Sequence, residues 1–214
     1  MTTKKIIQID IHSYWHIGTG KGSGPSADAL VAKSPNGLPV WPGKSVKGVF
    51  RDAFNQATEL EFLKNDITST KLEQLFGPQV TKVTDDPENK DVQIRFQQDK
   101  GAFLFSDGRL NVGEEYLALE KWAGSKGGKE YTPYFYKDVS NVKLQENGIA
   151  EQGALRAIQL TKPLRLFAEV EFVDQGGEIK AEEAFQLLEK TFPLVRLLGA
   201  SRTRGLGRIS VSYQ

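Results

Sequence analysis

Residues 5–13 alternate apolar and polar side chains, with Ile7, Ile9 and Ile11 on one face and Gln8, Asp10 and His12 on the other. A period of two is that of a half-buried strand, whose polar face is either a binding surface or a solvated one. Downstream the period changes. Val46, Val49, Phe50, Ala53, Phe54 and Ala57 recur at helical spacing, which predicts an amphipathic helix docked by one apolar stripe. Lys44, Lys47 and Arg51 lie on a flank away from that stripe, so one segment both packs on a core and presents cations. Short strands are expected at 93–96 and 102–106 around a turn at Asp99-Lys100-Gly101. Residues 153–160 and 164–173 read as a hairpin about Lys162-Pro163, with Leu164, Leu166, Ala168, Val170 and Phe172 facing inward. Ala181, Ala184, Phe185, Leu188 and Phe192 mark a second helix, and Ile209, Val211 and Tyr213 a last strand. Strand, helix, two or more strands, helix, strand predicts an α+β domain of the split βαβ type, with helices on one sheet face.

The 214 residues suit one domain with insertions. Residues 18–37 hold Gly18, Gly20, Gly22, Gly24 and Gly37 with Pro25 and Pro35, and read as a long loop. Charge, glycine and proline dominate near 78–91 and 121–152, which read as further insertions. The absence of cysteine excludes a disulfide framework and thiolate metal ligation. The first residues, MTTKKIIQIDIHSYW, lack the apolar core and cleavage site of a signal peptide, and no run nears the roughly 20 apolar residues of a membrane span. A soluble, cytoplasmic chain without a membrane partner is the expectation.

Net charge is only +1, so basicity that matters must be local. It gathers at opposite ends of the chain, in LPVWPGKSVKGVFRDAF at 38–54 and LLGASRTRGLGRISV at 197–211. There Lys44, Ser45, Lys47 and Arg51, and Arg202, Arg204 and Arg208, stand among glycines. Bare backbone amides and forked guanidinium donors are what a nucleic-acid backbone needs. Trp15, Trp41 and Tyr134 are placed either to stack bases or to pack.

Other motifs fail on spacing. Gly43-Lys44-Ser45 mimics the end of a nucleotide-binding P-loop, but Leu38 holds the position where its first glycine belongs. Helix-start phosphate contacts stay open. The series from Gly18 has Ser23 where a dinucleotide fingerprint needs its third glycine. His12 and His16 sit in a strand pattern with no further ligands, which argues against zinc and leaves acid–base, phosphate-contacting and structural roles open. Asp28, alone in its glycine-rich loop, is either a solvated carboxylate or a ligand for a divalent cation.

Taken together, three blocks resemble the RAMP superfamily of CRISPR-associated proteins, in particular the repeated backbone subunit of type III RNA-guided effector complexes. The first is HIG, the glycine-rich loop and GLPVWPGKSVKGVFR, similar to the signature LP-x-x-PG-[ST]-S-[LV]-KG, with Lys44 in place of the usual Ser or Thr. The second is LFG at 75–77 with GAFLFSDGRL at 101–110, and the third is LGASRTRGLGRISV. The resemblance implies a ferredoxin-like (RNA-recognition-motif-like) core with a protruding β-hairpin thumb. It implies a guide CRISPR RNA, a complementary target RNA and other effector subunits as partners. It also implies endonuclease activity on the target, with Asp28 as catalytic residue and ligand of a weakly bound Mg²⁺ or Mn²⁺. His16, Lys21, Lys44, Ser45, Lys47, Arg51, Arg202, Arg204 and Arg208 are the RNA-contacting candidates. A non-catalytic scaffold subunit and a guide-processing ribonuclease using His12 or His16 are the alternatives.

Overall fold

A computed structural model describes residues 2–20, 29–60, 68–78, 101–141 and 156–214. Its elements are, in chain order, β1 (Thr2–Ile11), α1 (Gly43–Glu59), α2 (Ser69–Phe76), β2 (Phe103–Phe105), α3 (Gly113–Gly124), α4 (Lys126–Tyr131), β3 (Tyr136–Asn141), β4 (Arg156–Thr161), β5 (Arg165–Val173), α5 (Ala181–Thr191) and β6 (Ile209–Tyr213).

Four strands form one antiparallel sheet in the order β2-β5-β1-β6. β5 therefore lies between β2 and β1, which α1 connects, and β1 lies between β5 and β6, which α5 connects. Two interlocked split βαβ units result, the ferredoxin-like arrangement. The registers run from Thr2↔Val173 to Asp10↔Arg165 and from Ile7↔Tyr213 to Ile11↔Ile209. Period-two alternation then puts Ile7, Ile9, Ile11, Leu166, Ala168, Val170 and Phe172 on one face, all buried against α1 and α5. Val46, Phe50, Ala53, Phe54 and Ala57 of α1 and Ala184, Phe185 and Leu188 of α5 supply the facing stripes.

Aromatic packing explains the second sequence block. Phe76 of the LFG motif sets its ring 4.9 Å from Phe54, 5.7 Å from Phe103 and 6.1 Å from Phe105, centre to centre. Phe103 in turn meets Phe172 and Phe185. Each buried phenylalanine stabilises by roughly 1.5–3 kcal/mol through surface removed from water. LFG and GAFLF are thus two halves of one core joint.

Between β2 and β5 the chain inserts α3, α4 and the two-stranded sheet β3-β4, the thumb-like hairpin. Residues 121–141 of the expected insertion are thus built of helices and a strand, whereas 142–155 lie outside the described residues. So do the segment 78–91 beyond Pro78, and the strand expected at 93–96.

One expectation is corrected. The strands on either side of Lys162-Pro163 do not pair with each other: β4 pairs with β3, and β5 with β1 and β2. Both edges of β5 are filled by core strands, which leaves no edge for β4. Pro163 also biases Lys162 toward extended backbone, so the chain passes from one sheet to the next rather than folding back.

Candidate functional site

β1 ends at Ile11 and the chain continues through His12 to Gly18 beside the C-terminal glycine-rich loop. The contact is backbone on backbone. The His12 amide donates to the Arg208 carbonyl (2.8 Å), Gly207 to Tyr14 (2.8 Å) and Ala200 to His16 (2.8 Å). Two glycines with φ above +70° shape the loop: a Cβ would stand 2.3 Å from the His16 carbonyl oxygen at Gly199 and 2.0 Å from the Leu198 carbonyl oxygen at Gly207. A larger residue at Gly199 would push the loop off the strand extension, and one at Gly207 would break the loop's own fold. The first and third sequence blocks, remote in the chain, are therefore one structure.

Where they meet, an open cleft of about 390 Å³ forms. His16 and Gly18 make one wall, Gly199, Ala200 and Arg202 the other, and Ser45, Gly48, Val49 and Asp52 of α1 the floor. His16 is 8 % exposed, and its Nδ1 lies 2.7 Å from the Gln159 carbonyl oxygen. A carbonyl only accepts, so Nδ1 carries the proton and Nε2 is left beside Gly18 at the cleft. Arg202 ties its Nε to the Gly199 carbonyl at 3.0 Å, which fixes the guanidinium while its two outer nitrogens stay available. The wall thus offers forked donors held by their own loop.

The same residue that orients His16 anchors the glycine-rich loop. The Gln159 amide donates to the Ala29 carbonyl (3.0 Å), the Thr19 amide to Leu30 (3.0 Å) and the Ala32 amide to Ile17 (2.7 Å). Asp28, which precedes Ala29, and Lys21 lie outside the described residues.

The other candidates disperse. Residues 45, 48 and 52 and residues 44, 47 and 51 are two rows on α1, one residue and so about 100° apart. The first row floors the cleft; Lys44, Lys47 and Arg51 are not part of it. Lys47 and Arg51 are half-buried, with an Arg51 nitrogen 3.5 Å from the Pro78 carbonyl and its Nε without a partner among the described residues. Burial, and then the Arg51 charge, push the Lys47 ammonium below the usual lysine range. Arg204 and Arg208 are exposed outside the cleft wall. His12 is separated from His16 and pairs with Ser210 across the sheet at 2.8 Å.

The start of α1 is already occupied. The Gly43 amide donates to Asp107 Oδ1 at 2.9 Å, and Asp107 Oδ2 holds Arg109 at 3.0 Å. The FSD motif supplies this cap from 64 residues away, so the first amide of the helix meets an internal carboxylate. Arg109 also lies over the Tyr116 ring at 4.7 Å, and Tyr116 donates to Glu120 at 3.0 Å. Trp15 and Trp41 are buried, so they pack and do not stack bases; Tyr134 is exposed.

A second recess of about 230 Å³ lies at the root of the thumb, between Lys33, Gly37, Thr132, Tyr136, Asp138 and Gln159. The Lys33 ammonium sits 4.0 Å from the Tyr136 ring centre, and burial, opposed by Asp138, lowers its pKa. Nothing local in the sequence marks this recess, because it joins residues about a hundred positions apart. Among the described residues, no three His, Cys, Asp or Glu side chains cluster as a metal site. None of the described helices is long and apolar enough to cross a membrane.

Comparison with known proteins bears on family and fold. A sequence model of the RAMP superfamily matches residues 8–210. No curated protein matches the chain. Among solved structures, a chain of the type III-B Cmr-beta complex bound to cognate target RNA is similar at TM-score 0.65 and 10 % identity, with 99 % of this chain and 97 % of that one covered. A chain of the same complex in its apo state is similar at TM-score 0.61 and 10 % identity, with 98 % and 96 % covered.

Proposed function

The chain belongs to the RAMP superfamily, and from that membership we propose that it is an RNA-binding backbone subunit of a type III CRISPR effector complex. It seats a guide RNA through the backbone, and the guide pairs with a complementary target. The observation that carries this reading is the joining of the two glycine-rich basic blocks around one cleft, with His16, Ser45 and Arg202 together on its lining. Likeness in fold to a chain from a complex bound to target RNA supports it. Phosphate contacts of this kind give affinity without sequence preference, which suits a subunit whose partner strand is chosen by base pairing.

Target cleavage is the second part of the proposal, with Asp28 as its carboxylate. The described residues do not form a resident metal centre, so a divalent cation such as Mg²⁺ or Mn²⁺ would be shared between Asp28, phosphate oxygens and water. Such a cation would stabilise charge as a neighbouring 2′-hydroxyl, losing its proton to water, displaces the 5′-oxygen of the next nucleotide; that oxygen leaves protonated as a hydroxyl, and a 2′,3′-cyclic phosphate stays behind. The chain's own contribution is to clamp both ends of the loop bearing Asp28, at Thr19–Leu30 and Ala29–Gln159.

The test is cleavage of a labelled complementary RNA by the guide-loaded assembly with Mg²⁺, comparing wild type with Asp28→Ala. Cuts at regular spacing that vanish in Asp28→Ala, with guide retained, are expected. Retained cutting in the variant removes Asp28 from the role. No cutting by wild type leaves a scaffold subunit.

A further inference from the structure

The floor of the cleft carries a carboxylate that phosphate binding does not explain. Asp52 is exposed on α1, in the row with Ser45 and Gly48, and lines the same cleft as His16 and Arg202. Unlike Asp10, Asp107 and Asp174, which hold Arg165, Arg109 and Lys180, its side chain has no hydrogen bond or ion pair among the described residues. Among the described residues it ties no element to another. Between Ser45 and Asp52 the helix surface is bare: a Cβ added at Gly48 would meet nothing within 4 Å. An ionised carboxylate only accepts hydrogen bonds, and it repels a phosphate that comes near. Whatever part of an RNA strand lies over Asp52 must therefore present a donor. On the sugar–phosphate backbone the only such group is the ribose 2′-hydroxyl, which DNA lacks.

Resting on the reading of the cleft as an RNA groove, we propose that Asp52 accepts a hydrogen bond from a ribose 2′-hydroxyl and is the residue that selects RNA over DNA there. Arg202 attracts either nucleic acid. Asp52 lowers the affinity for both by charge, and RNA regains the loss through a charge-assisted bond that DNA cannot form. Gly48 keeps the floor clear so that the sugar can approach.

The experiment measures binding of the full-length chain to single-stranded RNA, to DNA of the same sequence and to 2′-O-methyl RNA, with and without EDTA. The methyl ether keeps the oxygen and removes the donated proton. Wild type should prefer RNA over both analogues by about tenfold, the size of one hydrogen bond to a charged group. Asp52→Ala should bring the three affinities within about twofold by raising DNA and 2′-O-methyl binding while RNA changes little. Asp52→Asn, which still offers an acceptor oxygen, should keep part of the preference. Equal tightening of all three strands in Asp52→Ala would reduce Asp52 to a repulsive charge and overturn the proposal. So would a preference that disappears with EDTA, since a cation would then be the contact. Failure of wild type to bind RNA at all would instead overturn the RNA-groove reading, and this inference with it. Because Asp52 is exposed and without a partner among the described residues, the variants should fold, and an unchanged Tm checks this.

Discussion

Two neighbouring rows of α1, one facing the cleft opposite Arg202 and one carrying Lys47 and Arg51, differ in how the charge beside them is held. At the cleft, polar groups are aimed by a backbone joint: Arg202 is pinned to Gly199 as a donor, His16 is pinned to Gln159 with its Nε2 left as an acceptor, and the two loops are bonded to each other. One row round the same helix, Lys47 and Arg51 sit half-buried side by side, with one guanidinium nitrogen lacking a partner among the described residues and the ammonium weakened by burial. The first region has positions fixed before a ligand arrives, which lowers the ordering cost of binding. The second has charge without matching acceptors. A row of cations in a sequence is thus not yet a site; the fold decides which row meets the opposing wall.

The joint is the first place to break that contrast. Gly207→Val forces a side chain into the Leu198 carbonyl at positive φ, and should cost about 3 kcal/mol or more in chemical denaturation, with RNA binding lost. Asp107→Ala removes the cap on Gly43 and the partner of Arg109, for an expected loss of about 1–2 kcal/mol. Its RNA affinity should change less than about twofold if the helix start takes no phosphate. Arg202→Ala should weaken RNA binding about tenfold without altering Tm, and reduce the slope of log affinity against log salt by about 0.7. Lys47→Gln is the sharpening case. Folding stability should stay level or rise by a few tenths of a kcal/mol as a desolvated, repelled charge is removed, while RNA affinity falls only about twofold. The sign of its proton linkage is fixed. Burial and Arg51 lower the Lys47 pKa in the free protein, so a phosphate brought beside it would raise that pKa and draw in a proton. With RNA in the cleft, binding measured in alkaline buffers of different ionisation enthalpy should show the same proton uptake in wild type and Lys47→Gln; uptake that the variant lacks would put RNA on this flank instead.

What could be read from the sequence follows from how local each signal is. The alternation of Ile7, Ile9 and Ile11 and the stripe from Val46 to Ala57 carry their own period, so β1 and α1 stand where expected. Leu166 to Phe172 gave the right face of β5 but not its neighbours, since pairing with β1 and β2 is fixed by residues far along the chain. The cap that Asp107 places on Gly43 and the recess joining Lys33 to Tyr136 are long-range in the same way. At the cleft, the glycines among the arginines were the legible signal, because only a close backbone approach needs them. The one-residue offset that separates Ser45 from Lys44 was also legible in helix geometry, but which row faced a wall was not.

The most direct test of the central claim is photo-crosslinking of the assembled complex carrying 4-thiouridine guide RNA, with the attachment sites on this chain mapped by mass spectrometry. The account predicts crosslinks at His16–Gly18, at Ser45, Gly48 or Asp52, and at Gly199–Arg202. Crosslinks confined to the Lys47–Arg51 flank or to the open face of the sheet, with none at the cleft, would contradict it.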